Sequence, residues 1–187
     1  MNIALLEQLM YQIAGLLLMP VLLLLTILFL YSFFILGSFC MQAFQRKHNN
    51  TQYRLAIASL NKDLVSINQC DVKGYRLFSH FTNNKDQGFD DLQIFALKQL
   101  EKQRIVTRVA PMLGLIATMI PMGPALKSLA DGNIQGISEN LIVAFAAVIF
   151  GLVTASITFW TVSVKKRWYA VELNDLKTYL FNENGEH

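Results

Sequence analysis

The chain has 187 residues, of which 53% are hydrophobic and only 16% charged, whereas a water-soluble domain of this size carries about a quarter charged residues. The formal net charge is +3, but the basic residues are sorted into the segments between apolar runs and never gather into one patch, which excludes a nucleic-acid partner as the reason for the charge. The expected fold class is an all-α integral membrane protein with the lipid bilayer as its solvent.

Residues 1–12 precede the first apolar run and carry Glu7 but no Lys or Arg. The first span is placed at 13–42, where "LLLMPVLLLLTILFLYSFFILG" alone is long enough to cross a hydrocarbon core of about 30 Å at about 1.5 Å per residue. A cleaved signal peptide is not expected, because there is no basic leader, the run is too long and no A-x-A-like site follows; Phe39 also makes Cys40 a poor lipoprotein site.

Residues 43–108 form a polar helical segment, too small and too polar to be expected to fold as a domain of its own. Tyr53, Ile57, Leu60, Leu64 and Ile67 recur at spacings of four and three, one narrow stripe on a helix. A turn-rich break, "HFTNNKDQGFDD", separates it from "LQIFALKQLEKQRIVTRV", a second helix expected to run without interruption into a second span at 109–127. A loop at 128–139 leads to the third span, 140–164, which has no charge. In the tail, 165–187, Tyr169, Leu173, Leu176 and Leu180 repeat the helical stripe. Each stripe fits packing inside one chain as well as packing between subunits of a homo-oligomer.

Orientation follows from the Lys and Arg distribution. The segment between spans one and two holds eleven (Arg46, Lys47, Arg54, Lys62, Lys73, Arg76, Lys85, Lys98, Lys102, Arg104, Arg108), and the tail opens with Lys165, Lys166 and Arg167. The short loop has Lys127 beside Asp131 and Glu139. The N-terminus is therefore expected outside, with the central segment and the tail in the cytoplasm. No catalytic constellation is found: Cys40 and Cys70 lack metal-ligand spacing, and His48, His80 and His187 lie in polar or terminal segments with no nucleophile nearby in sequence. Neither an enzyme, a cofactor nor a metal is expected.

The second span contains Pro111, Pro121 and Pro124. Near a helix start a proline is harmless, a role open to Pro111 at the entry of the span. Pro121 and Pro124 instead free carbonyls around residues 117–120, which lipid cannot satisfy, and they are expected to bend the helix. Pro111, Gly114, Thr118 and Ala125 fall within about 60° of one another, a small-residue face suited either to close helix packing or to a wet path. In the third span Ala144, Ala147, Gly151 and Ala155 form a small-residue ridge, with Thr154, Thr158 and Thr161 beside it. Those hydroxyls either bond back to their own helix or form a polar track.

The "APMLGLIAT" of residues 110–118 resembles the A-P-x-x-G-L-x-x-T signature that opens the second span in ExbB and TolQ, of the MotA/TolQ/ExbB proton-channel family, and the three-span layout is similar too. The resemblance implies an ion-driven motor of the bacterial or archaeal cytoplasmic membrane. In it a homo-oligomer, five subunits in known members, surrounds a small single-span partner whose membrane aspartate carries the proton past threonines of the large subunit. Thr118 matches the threonine of the second span. The family's threonine in the third span falls on Val148, which lacks the hydroxyl, and "MIPMGPAL" replaces the commoner G-T-V-x-G continuation. Thr154 and Thr158 are the alternative hydroxyls. No acid lies within any span, so a partner would have to supply one. Three functions follow in order: a channel-forming stator subunit, a non-conducting scaffold of the same fold, and a subunit of a solute exporter.

Overall fold

The computed structural model describes residues 3–60, 72–84 and 88–183, and every element among them is helical. α1 spans Ile3–Leu60, α2 Arg76–Asn83, α3 Phe89–Ala130 and α4 Ile134–Glu183. α1, α3 and α4 are long and apolar enough to cross a membrane. The contacts divide the chain into two compact units, Met1–Phe34 with Arg104–Phe159 and Ile35–Gln103 with Trp160–His187.

In the first unit the apolar surface is turned outward. Leu16, Met19, Phe34, Met119 and Phe145 are all exposed, the pattern of helices whose solvent is lipid. Its small core joins Leu25 of α1, Ala117 of α3 and Ala147 of α4, with Val21, Leu22 and Leu113 packed around them. α3 runs unbroken through all three of its prolines. Pro111 therefore lies deep inside a helix that begins at Phe89, and the first-turn role open to it in sequence does not hold, because the polar extension ahead of the span is part of the same helix. Each proline withdraws an amide from the carbonyl four residues before it: Thr107, Ala117 and Ile120. α1 carries Pro20 in the same way.

The connection between α3 and α4 is only Asp131–Asn133, so that much of the expected 128–139 loop is helical. Its three residues, D-G-N, close both helix ends. Gly132 takes φ 70, a left-handed conformation natural to glycine. The Asn133 amide donates to Ser128 O at 2.8 Å and the Gly132 amide to Leu129 O at 3.1 Å, the bond pair of a Schellman C-cap. Asn133 then caps α4, its Oδ1 accepting from the Gly136 amide at 3.0 Å. Asn133→Ala is expected to lower stability by about 1 kcal/mol, read as a lower thermal unfolding midpoint in detergent.

The second unit has a substantial core, built from the central segment together with the tail. Tyr53 and Ala56 of α1, Leu77, Phe78 and Phe81 of α2, Leu92, Ala96 and Leu100 of α3, and Tyr169 and Leu176 of α4 are buried together. The central segment alone would not suffice; the tail supplies the missing wall, with Leu173 packed against it. Of the stripe expected on the first helix, Tyr53 and Ile57 join this core, whereas Leu64 and Ile67, like the Leu60 and Leu180 side chains, lie outside the described residues. α2 was not expected. It runs from Arg76 into the start of the turn-rich break because Leu77, Phe78 and Phe81 give even this eight-residue helix one buried face. The turn before α2 places Gly74 at φ 102, where an added Cβ would stand 3.0 Å from the Arg46 backbone nitrogen.

Candidate functional site

α3 and α4 of the first unit meet along small residues. Ala110 is 1% exposed, Ala117 and Ala147 are also buried, and a Cβ on Gly114 would come within 3.3 Å of Ala147 O. At Gly151 the fit is closer still: a Cβ there would stand 2.8 Å from Ala110 O and 3.2 Å from Gly114 Cα. The alanine and glycine of the A-P-x-x-G signature thus lie where two helix backbones approach as closely as side chains allow. Ala144 is buried, and Ala155 is half-buried. Pro121 and Ala125 are buried, and Pro111 and Pro124 half-buried.

Residues 95–178 match the MotA/TolQ/ExbB proton channel family. The match takes in the second and third apolar spans and the helix beyond the third, and bears out the resemblance carried by residues 110–118. The chain is thus a membrane protein with a proton-channel-family segment, its three spans borne on helices long enough for them. No solved structure and no curated protein matches the chain.

Within the MotA/TolQ/ExbB segment, Thr118 is half-buried, and its hydroxyl donates to Leu115 O at 2.6 Å rather than to the carbonyls that Pro121 and Pro124 free. Val148 is also half-buried and sits opposite Gly114, its Cα 3.5 Å from a Cβ placed there. Along α4 the face continuing from Val148 opens outward through Leu152, Ala155 and Phe159, the last 63% exposed. Thr154 and Thr158 turn the other way, each with 0% of its surface exposed. Thr158 Oγ1 donates to Thr154 O at 2.8 Å, with Ala155 O at 3.1 Å. Among the described residues Thr154 Oγ1 has no hydrogen-bond partner. The structure thus leaves Thr118 and Val148 partly exposed and buries the two alternative hydroxyls within the chain. Thr161 is fully buried as well.

A polar cluster in the second unit went unrecognised in the sequence. Glu172 of α4 is fully buried and forms an ion pair with Arg46 Nη1 of α1. Its Oε2 accepts the Leu77 amide at 3.1 Å and the Phe78 amide at 3.4 Å. These are the second and third residues of α2, whose own N-cap, Tyr75, contributes no side-chain bond. A carboxylate from another helix therefore caps α2, at the end where its dipole favours negative charge. Burial pushes the Glu172 pKa up, opposed by Arg46 and by the two amides. The Tyr53 hydroxyl donates to Asp175 Oδ2 at 3.0 Å, and burial first, then the Asp175 charge, pushes its pKa up. The signal for Glu172 was legible: an acid one residue from Leu173 and three from Tyr169, on the seam the stripe predicts. Among the described residues no group of His, Cys, Asp and Glu is arranged to hold a metal ion.

Proposed function

We propose that this chain is the channel-forming stator subunit of an ion-driven, proton-using motor. In this reading copies of the chain assemble as a homo-oligomer, a pentamer, in the cytoplasmic membrane of a bacterium or archaeon, N-terminus outside, around a small single-span partner that carries a membrane aspartate. The observation that carries it is the family match across α3 and α4, with Thr118 at the signature threonine and partly exposed. The spans hold no acid of their own, so the partner's carboxylate supplies the proton carrier and Thr118 a hydroxyl on its route. The work done is transfer of force or transport in the cell envelope.

Proton flux into vesicles holding the chain and its candidate partner tests this. Flux is expected to need the partner, to fall at least about tenfold in Thr118→Val, a loss of about 1.4 kcal/mol of barrier stabilisation, and to rise in Val148→Thr. A well-formed complex with no flux under an imposed gradient would sink the reading.

A second reading, a non-conducting scaffold of the same fold, is favoured by Val148 and by the burial of Thr154 and Thr158. Thr154→Val separates a structural hydroxyl from a conducting one. Removing a buried hydroxyl that lacks a partner is expected to raise stability by about 1 kcal/mol, measured by thermal unfolding, and flux that falls in the same variant would place Thr154 on the ion route.

A further inference from the structure

In the second unit, α1, the turn before α2 and α4 line an open cavity of about 600 Å³. Arg46, Arg54 and Arg167 line it, against the carboxylate of Asp175. Arg46 is paired with Glu172 and lies over two rings, its Cζ 4.1 Å from the centre of Tyr75 and 4.9 Å from that of Trp168. Only 11% of its side chain is exposed, so its position is fixed. Arg54 and Arg167 are exposed, and neither forms an ion pair among the described residues. Asp175 is already engaged by the Tyr53 hydroxyl.

The charges facing the cavity leave a positive surplus even with Glu172 set against Arg46. Guanidinium groups are planar forks that match phosphate with two bonds at once, and are weakly hydrated enough to give up water for it. The volume lies in the range of ligand sites and exceeds what a bare inorganic ion fills. In the sequence Arg167 and Trp168 lie within four residues of the end of the third apolar run, and Arg46 within four of the end of the first, so the cavity belongs to the basic flank of the spans, where anionic headgroups are met. Trp168 adds a ring with an apolar body and a polar edge, suited to that boundary.

We propose that this cavity is a binding site for a phosphate-bearing anion, its phosphate held by Arg54 and Arg167 above the Arg46–Glu172 pair. The source is either the headgroup of an anionic lipid or a free phosphate ester, and the two are separable.

The test uses the full chain in an uncharged detergent with Trp160→Phe, which leaves Trp168 as the sole tryptophan. Its emission is titrated with dihexanoyl phosphatidylglycerol and, separately, with inorganic pyrophosphate and glycerol phosphate. A saturable change is expected, with half-saturation raised about tenfold or more by Arg54→Gln with Arg167→Gln, and lowered by Asp175→Asn. Response to the lipid alone identifies a headgroup site; equal response to the soluble phosphates identifies a free ester. Should the double variant fail to fold, single Arg167→Gln and Asp175→Asn carry the same comparison. No saturable response to any of the three probes, or half-saturation that none of these variants moves, overturns the proposal.

Discussion

Glu172→Ala is expected to destabilise the second unit by about 3–5 kcal/mol, the cost of leaving one partner of a buried ion pair alone. Two losses combine. The Arg46 guanidinium stays over the Tyr75 and Trp168 rings without its carboxylate, and the Leu77 and Phe78 amides lose their acceptor at the start of α2. An eight-residue helix cannot form on its own propensity and depends on such contacts. Glu172→Gln, which keeps an acceptor oxygen but not the charge, is expected to fall between Ala and the parent. Arg46→Met combined with Glu172→Leu is expected to lose less than Glu172→Ala alone, since two apolar side chains in a buried site leave no orphan charge. Urea unfolding in detergent, followed with amide exchange at Leu77 and Phe78, measures all three. If Glu172→Ala unfolds within about 0.5 kcal/mol of the parent, a value ordinary for a surface change, the pair does not hold α2 in place.

The three long helices were legible because lipid demands long uninterrupted apolar runs, and composition reveals these directly. The continuity of α3 from its polar start through Pro111 was half legible: the segment ahead of the span was expected to run into it as one unbroken helix, yet the proline invited a first-turn reading that the helix start at Phe89 removes. α2 was hidden because Ser79, His80, Thr82 and Asn83 dominate its composition, while its reason to be helical lies in partners far along the chain, Glu172 above all. The core of the second unit was legible in part: the stripes through Tyr53 and Ile57 and through Tyr169, Leu173 and Leu176 both reach it, whereas the share of α2 was not foreseen. Within the candidate site, the signature supplied Thr118 and the ridge supplied Gly151. What periodicity does not reveal is which side of α4 faces inward, because Thr154, Thr158 and the face through Val148 are all apolar enough for either. That choice is made by the close approach of α3, which only Gly151 and Gly114 permit.

Gly151→Leu is expected to prevent α3 and α4 from closing, and the loss should appear within the protomer before it appears in assembly. The nearest atom to an added Cβ is a backbone carbonyl oxygen, Ala110 O at 2.8 Å, followed by Gly114 Cα at 3.2 Å. Neither can rotate away as a side chain would, so the helices themselves must separate. Even Gly151→Ala should cost about 1–3 kcal/mol, the range for overpacking a well-packed site, and leucine more, because its branch extends into the same gap. Trimming Ala110 would bring no rescue, since the obstacle is its carbonyl and not its methyl group. Gly15→Ala is the matched control: it too lies within a long helix, but nothing stands within 4 Å of its added Cβ. There the substitution should be neutral or stabilising by up to about 1 kcal/mol, the difference in helix propensity. Thermal unfolding in detergent, run beside a subunit count by native mass measurement, distinguishes the two levels. A lowered midpoint with the subunit count retained in Gly151→Ala places the ridge inside the protomer; an unchanged midpoint in Gly151→Leu would mean that these helices do not cross at Gly151. Because Val148 sits opposite Gly114 on the same contact, any flux lost in Gly151→Ala would reach the ion path through the spacing of α3 and α4, with both threonine positions left chemically intact.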